Sequence, residues 1–382
     1  MKLSTDRILT THTGSLPRPD GLSQMLLDHE AGKPVDAKAF EAAAREAVVE
    51  VVKRQVACGI DIVNDGEMSK VGYATYIKDR ATGFSGTSPR RVPADLEMYP
   101  NYLKAAAQRR ESPAIQRPIC TGEVKLRDNA PLERDIANFA AALKGARAVE
   151  GFMTAASPGV ICSFLPNEYY PTEDAYLEAL AAVMKTEYDA IHAAGFILQL
   201  DCPDLAMARH MQYKAVSDED FVARADAHIE VLNAALADVP ADRIRLHLCW
   251  GNYEGPHVCD IPAAKILPVV RKTKAQVISF EASNPRHAHE WTAWKEAKLP
   301  DDKVLLPGVI DSVSNFVEHP DLVAERICRF ADIVGRERVL AGTDCGFGTF
   351  VGFGKIDPDI AFAKLKTMAE GAAIATKRLW KH

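Results

Sequence analysis

The sequence predicts an α/β protein built as a parallel (β/α)8 TIM barrel, and three observations carry that expectation. Eight short apolar runs recur along the 382 residues. Ala-rich amphipathic stretches lie between them, so strand and helix alternate, as in folds with a parallel sheet inside and helices outside. Polar and sulfur-bearing residues collect at or just past the ends of these runs, where parallel barrels place their reactive groups. An open doubly wound sheet fits the same local pattern, because periodicity alone does not report closure.

In chain order, the expected strands are 8–12, 60–64, 151–155, 197–201, 244–248, 277–281, 305–310 and 339–343. Helical spacing is clearest over 40–58, 174–194, 218–237 and 320–334. The segment from about 80 to 150 is rich in Arg, Pro and helix formers. It contains a ninth apolar run, 118–121, and reads as an insertion after the second strand. The whole of 1–382 then forms one domain, with no internal repeat or low-complexity tract.

Composition narrows the class. The chain is 47% hydrophobic and 26% charged with a net charge of -6, which is ordinary for a globular protein and offers no basic footprint for nucleic acid. No apolar stretch approaches the length of a membrane span, and the N-terminus lacks the apolar core of an export signal. The eight cysteines do not resemble a small secreted disulfide scaffold and read as reduced thiols in a cytoplasmic protein. A homo-oligomer is compatible with all of this.

The most informative run is Arg243-Ile-Arg-Leu-His-Leu-Cys-Trp-Gly251. It alternates and then meets a loop, so His247 and Cys249, two apart on a strand, face the same way. His-x-Cys alone is more often a buried cysteine beside a hydrogen-bonded histidine. Two further runs strengthen the metal reading. One, Val277-Ile-Ser-Phe-Glu281, ends in a carboxylate, and the other, Val339-Leu-Ala-Gly-Thr-Asp-Cys345, in a second cysteine. Imidazole, two thiolates and a carboxylate converging at strand ends suit a zinc ion. His257 and Cys259 repeat the spacing in a loop and are weaker candidates.

With those residues in place, the chain resembles the catalytic zinc barrel of cobalamin-independent methionine synthase. His247, Cys249, Glu281 and Cys345 fall in order on that family's metal ligands. Thr11-His-Thr-Gly-Ser15-Leu-Pro17, Asp65-Gly-Glu67 and Gln199-Leu-Asp201-Cys-Pro203 are similar to its substrate motifs. The resemblance implies Zn2+ without cobalamin, a small-molecule thiol activated as a zinc thiolate, and an alkyl donor. It implies that Ser15 holds substrate and that Glu67 and Asp201 bind substrate and take part in catalysis. Tyr73 and Tyr76, following Glu67, are candidates for the pocket wall.

Two departures bear on the donor. Cys202 stands where the family has Glu, and Val313 where it has a histidine implicated in methyl transfer. The single-barrel form and the Asp311-Ser-Val-Ser-Asn315 run look more like a sister group that includes epoxyalkane:coenzyme M transferase, which opens an epoxide. A non-catalytic barrel with structural zinc is the alternative of another class. It is disfavoured by the carboxylate ligand, since structural sites are closed by Cys and His.

Overall fold

The computed structural model describes residues 1–109, 115–352 and 356–380. Residues 110–114 of the expected insertion lie outside the described residues. The strands are β1 (Ile62–Val63), β2 (Phe84–Ser85), β3 (Ile119–Cys120), β4 (Glu150–Ala156), β5 (Ile197–Asp201), β6 (Ile244–Leu248), β7 (Val277–Phe280), β8 (Val304–Ile310) and β9 (Gly342–Thr343). Seven of them form a curled parallel sheet in the order β1-β4-β5-β6-β7-β8-β9, giving a TIM-barrel-like α/β fold.

The first expected strand, 8–12, differs from the others. It is not a regular strand, yet it touches both edges of the sheet. Thr10 bridges Ala341 in parallel, with Thr11 N donating to the Ala341 carbonyl and Ala341 N to the Leu9 carbonyl, both at 2.9 Å. On the other side, the amides of Asp61 and Ile62 donate to the Thr10 carbonyl at 3.1 and 3.0 Å. The Thr10 amide itself goes to the Asp61 carboxylate at 2.9 Å. A side chain thus takes the place of a strand carbonyl, and the regular ladder is interrupted there.

β5 to β8 are buried along their full length, as expected when one face meets the barrel interior and the other meets helices. Leu198, Leu200, Ile244, Leu246 and Ile278 join the main apolar cluster shared with the helices. The helix Pro320–Val334 buries Val323, Ala324, Ile327, Phe330, Ala331 and Val334, an unbroken helical stripe. It sits close against the helix Pro358–Trp380 at Gly371, where a Cβ would lie 2.4 Å from Val323 Cγ1.

The apolar run 118–121 becomes β3, which pairs antiparallel with β2 in a small separate sheet. A buried ionic network joins the start of this region to the barrel helices. Arg80 meets Asp135 at 2.8 Å and Glu187 at 3.1 Å, and Lys78 meets Glu30 at 2.6 Å. Buried ions of this kind need every partner they have, since removing one strands the other. None of the described helices is long and apolar enough to cross a membrane.

A second buried network lies behind β4 and β5. Ser157 caps the helix Pro158–Phe164 and donates to Asp204 Oδ1 at 2.6 Å, while Asp204 Oδ2 meets His228 Nδ1 at 2.9 Å. Glu173 lies 3.9 Å from the other ring nitrogen, attracting charge without a hydrogen bond. Burial works against a charged His228. The Asp204 hydrogen bond and the two carboxylate charges outweigh it and raise the pKa from 6.5 to about 9. The raised value means that the folded state binds a proton the unfolded chain has released. This contribution, up to about 3 kcal/mol, is present below pH 6.5 and lost as pH rises through about 9. Chemical denaturation of the wild-type protein and of His228→Gln at pH 6 and pH 9.5 should show the difference between them shrink at the higher pH. A pH-independent difference would refute the linkage.

Candidate metal centre

Parallel register and two-residue alternation stack the barrel interior in layers. Gln199 is paired with Arg245, and Asp201 with His247. Arg245 is paired with Val277 and His247 with Ser279. Arg245, His247 and Cys249 therefore climb one inward face toward the C-terminal end of β6. In the lower layer Arg245 is fully buried. Its Nε donates to Gln199 Oε1 at 2.7 Å, Nη1 to Thr11 Oγ1 at 3.0 Å and Nη2 to the His12 carbonyl at 2.6 Å. Its guanidinium carbon sits 3.4 Å from the centre of the Phe152 ring.

One layer up, His247, Cys249 and Cys345 bring their donor atoms within 4.8 Å of one another, all buried. The two sulfurs are 3.8 Å apart. Two sulfurs at the usual Zn–S length of ~2.3 Å on a tetrahedral ion would lie ~3.8 Å apart. His247 Nε2 is buried and has no hydrogen-bond partner among the described residues, whereas Nδ1 lies 3.3 Å from Ser279 Oγ. A buried, unpartnered ring nitrogen is costly unless something binds it, and here it belongs to the same group as two thiols. The donor set and its spacing fit zinc. Burial and the positive charge of Arg245 lower the His247 pKa to about 3, favouring the neutral ring a metal requires.

Glu281 lies beside this group but is not one of the three. Its oxygens accept from Trp250 N at 2.8 Å and from Asn284 Nδ2 at 2.8 Å, and it borders a neighbouring cavity with Asp311 and Val313. Burial and the Cys249 charge push its pKa well up. Asp344, next to Cys345, accepts from the amides of Ala282, Ser283 and Asn284 and from the Ser283 hydroxyl, at 2.7 to 2.9 Å. It thereby ties the loop carrying Glu281 to the strand end carrying Cys345. His12 is engaged elsewhere: Nε2 meets Gln55 Oε1 at 2.8 Å and Nδ1 accepts from Gly14 N at 3.2 Å. His257 binds Asp260 and the Tyr253 carbonyl, and the Cys259 thiol donates to Met98 Sδ at 3.6 Å. Neither joins the metal group.

A cavity of about 560 Å³ opens above the metal group, and Ser15, Glu67, Tyr73 and Asp201 all line it. Glu67 follows Gly66 in two successive left-handed residues, with φ of 67° and 56°. For a non-glycine residue that conformation typically costs ~1–3 kcal/mol. Here it is held by the Asp65 carboxylate, which accepts from Glu67 N at 3.0 Å, and by the Arg18 guanidinium on the Glu67 carbonyl. Glu67 Oε1 accepts from Thr154 Oγ1 at 3.0 Å, while Oε2 is buried without a partner among the described residues. Asp201 Oδ1 accepts from Gln199 Nε2 at 2.8 Å, and burial together with the nearby Glu67 charge raises its pKa. Tyr76, expected on the pocket wall, does not line this cavity. Its hydroxyl donates to Glu187 Oε1 at 2.8 Å and accepts from Ala156 N at 3.3 Å. It belongs to the ionic network of Arg80, because a buried phenol beside a carboxylate is satisfied there.

Sequence reasoning named neither Ser279 nor Arg245. Their signal was present in the register: each sits across from, or two residues before, His247 on the inward face.

The family described as "Cobalamin-independent synthase, Catalytic domain" matches residues 8–373 of this chain. A methionine synthase of Sulfolobus acidocaldarius is 28% identical over 374 residues, covering 97% of this chain and 93% of that protein. One from Thermococcus kodakarensis is 27% identical over 374 residues, covering 97% and 94%. Among solved structures, a B12-independent methionine synthase from Shewanella sp. W3-18-1 in complex with selenomethionine aligns with a TM-score of 0.75 at 18% identity. The alignment covers 98% of this chain and all of that one, a likeness of fold. With nearly its whole length matched, the chain belongs to the cobalamin-independent synthase catalytic-domain family.

Proposed function

We propose that this protein is a zinc-dependent thiol S-methyltransferase or alkyltransferase. In this reading its substrates are a small thiol and an alkyl donor, the whole chain is one complete (β/α)8 barrel, and 80–150 is an insertion. The observation that carries the reading is the buried His247 Nε2, unpartnered among the described residues and grouped with Cys249 and Cys345 at the floor of a large cavity. Curated relatives named methionine synthases support it. Contact of residues 8–12 with both sheet edges supports barrel closure.

His247, Cys249, Cys345 and Glu281 are the residues that would hold the ion, Glu281 after releasing the hydrogen bonds it now accepts. A zinc ion there supplies the positive charge that keeps a substrate thiol deprotonated near neutral pH. The rest is done by the protein. Ser279 fixes the His247 ring, and Asp344 holds the Glu281 loop against the Cys345 strand end. Asp201 and Glu67, two buried acidic side chains on the cavity wall, are placed to bind an ammonium group such as that of homocysteine. Ser15 borders the same space and Tyr73 walls it. Glu67 Oε2 and Asp201 are also the groups available to accept or deliver a proton beside the reacting sulfur.

Cys249→Ser and Cys345→Ser should each lower zinc content severalfold by elemental analysis, whereas Cys259→Ser should not. Equal loss in all three would show that the wrong cysteines were assigned. Asp201→Asn and Glu67→Gln should raise KM at least about tenfold for a thiol bearing an amine, the scale of one charged hydrogen bond. KM for a thiol without an amine should change little, and an equal rise for both thiols would argue against ammonium binding. For the donor, Val313 cannot supply the proton that a poor amine leaving group needs, help typically worth ~10²–10⁴-fold. Methyltetrahydrofolate with homocysteine should therefore turn over more slowly than a smaller or more activated alkyl donor. Efficient methionine formation from that folate would overturn the donor assignment and leave the metal group standing.

A further inference from the structure

The cavity above His247, Cys249 and Cys345 runs on to the segment between β1 and β4, where basic side chains line it. Glu67 and Asp201 line this cavity, and so do Arg91 and Arg117. Both guanidinium groups are steered onto the end of the helix Pro158–Phe164. Arg91 Nη1 donates to the Ser163 carbonyl at 2.6 Å, and the Arg117 guanidinium carbon lies 5.7 Å from the Phe164 ring centre. Both residues are half-buried, and among the described residues neither meets a carboxylate. Burial and the charge of Arg91 lower the Arg117 pKa, with the Tyr73 phenol acting the other way.

In this Arg91 and Arg117 differ from two other cations of the same segment. Arg80 and Lys78, at the start of the same region, are each paired with carboxylates. Placing two like charges near one another, partly stripped of water, is unfavourable unless an anion joins them. Guanidinium groups present a fork of donors that matches carboxylate, sulfonate and phosphate oxygens. Tyr73, Phe164 and Phe350, which line the same cavity, pack edge-on or tilted with ring centres 5.3 to 6.0 Å apart, giving an apolar waist.

We propose that Arg91 and Arg117 form an anion subsite. One of the two substrates then carries a carboxylate, sulfonate or phosphate group on an apolar body that spans the waist from the metal end. This rests on the reading of the cavity as the substrate site. The anion belongs either to the thiol or to the alkyl donor, and matched probes distinguish the two. Calorimetric binding of 6-mercaptohexanoate against 6-mercapto-1-hexanol tests the thiol. Binding of 4-phenylbutyrate against 4-phenyl-1-butanol tests an apolar body without sulfur.

In at least one arm the acid should bind about tenfold more tightly than its alcohol, the scale of a charged hydrogen bond. The preference should vanish in Arg91→Ser/Arg117→Ser and return in part in Arg91→Lys/Arg117→Lys, with zinc content and Tm unchanged. Equal binding of acid and alcohol in both arms, or a preference that survives the serine variant, would overturn the subsite. The measurement needs no turnover. Zinc content of the same samples, scored separately, shows whether the metal reading has failed instead.

Discussion

Everything at the centre of this molecule is arranged around a fully buried cation, the guanidinium of Arg245. Burial pulls its pKa down to about 9, and it remains charged at neutral pH. A buried ion must find hydrogen bonds from whatever surrounds it. Arg245 finds them on β5 through Gln199 and on residues 8–12 through Thr11 and His12, and it lies flat on Phe152 of β4. One side chain thus joins four neighbouring segments of the barrel wall. A slip of β6 by one residue would turn that charge outward into the helices, so the cation specifies register as well as contact.

The layer above inherits its chemistry from this floor. The Gln199 amide that accepts from Arg245 through its oxygen donates to Asp201 through its nitrogen, handing the polarisation upward. Burial, with the Arg245 charge adding to it, keeps His247 neutral, while the same charge partly offsets the burial that raises the Asp201 pKa. A neutral imidazole and two acidic side chains thus border one cavity. At the turn of Glu67, on the cavity wall, the left-handed backbone brings the carboxylate to the Thr154 hydroxyl.

The region between β1 and β4 supplies the opposite wall. Its paired cations, Arg80 and Lys78, bind it to the barrel helices, while Arg91 and Arg117 are left facing the cavity. One segment thus carries two sets of basic residues, one paired in the framework and one on the cavity wall. Tyr76 and Tyr73 divide in the same way, three residues apart: one hydroxyl is spent on Glu187 inside the framework, and the other residue walls the cavity.

Much of this was legible in the chain itself. Alternation within 243–251 put His247 and Cys249 on one face, and the apolar runs located β4 to β8 to within a residue or two, because side-chain period is a local property of a strand. Cys345 lies with His247 and Cys249, the three donor atoms within 4.8 Å of one another. What remained hidden depended on neighbours distant in sequence. Residues 8–12 lost their regular ladder because Asp61 captured the Thr10 amide. Tyr76 turned into the packing because Glu187 lay behind it, and Glu281 was held by Trp250 and Asn284 beside the donors. Ser279 became the partner of His247 only through the pairing of β6 with β7. A sequence dictates which way its own side chains alternate. Which charge, amide or hydroxyl waits on the next strand is decided only when the strands pair.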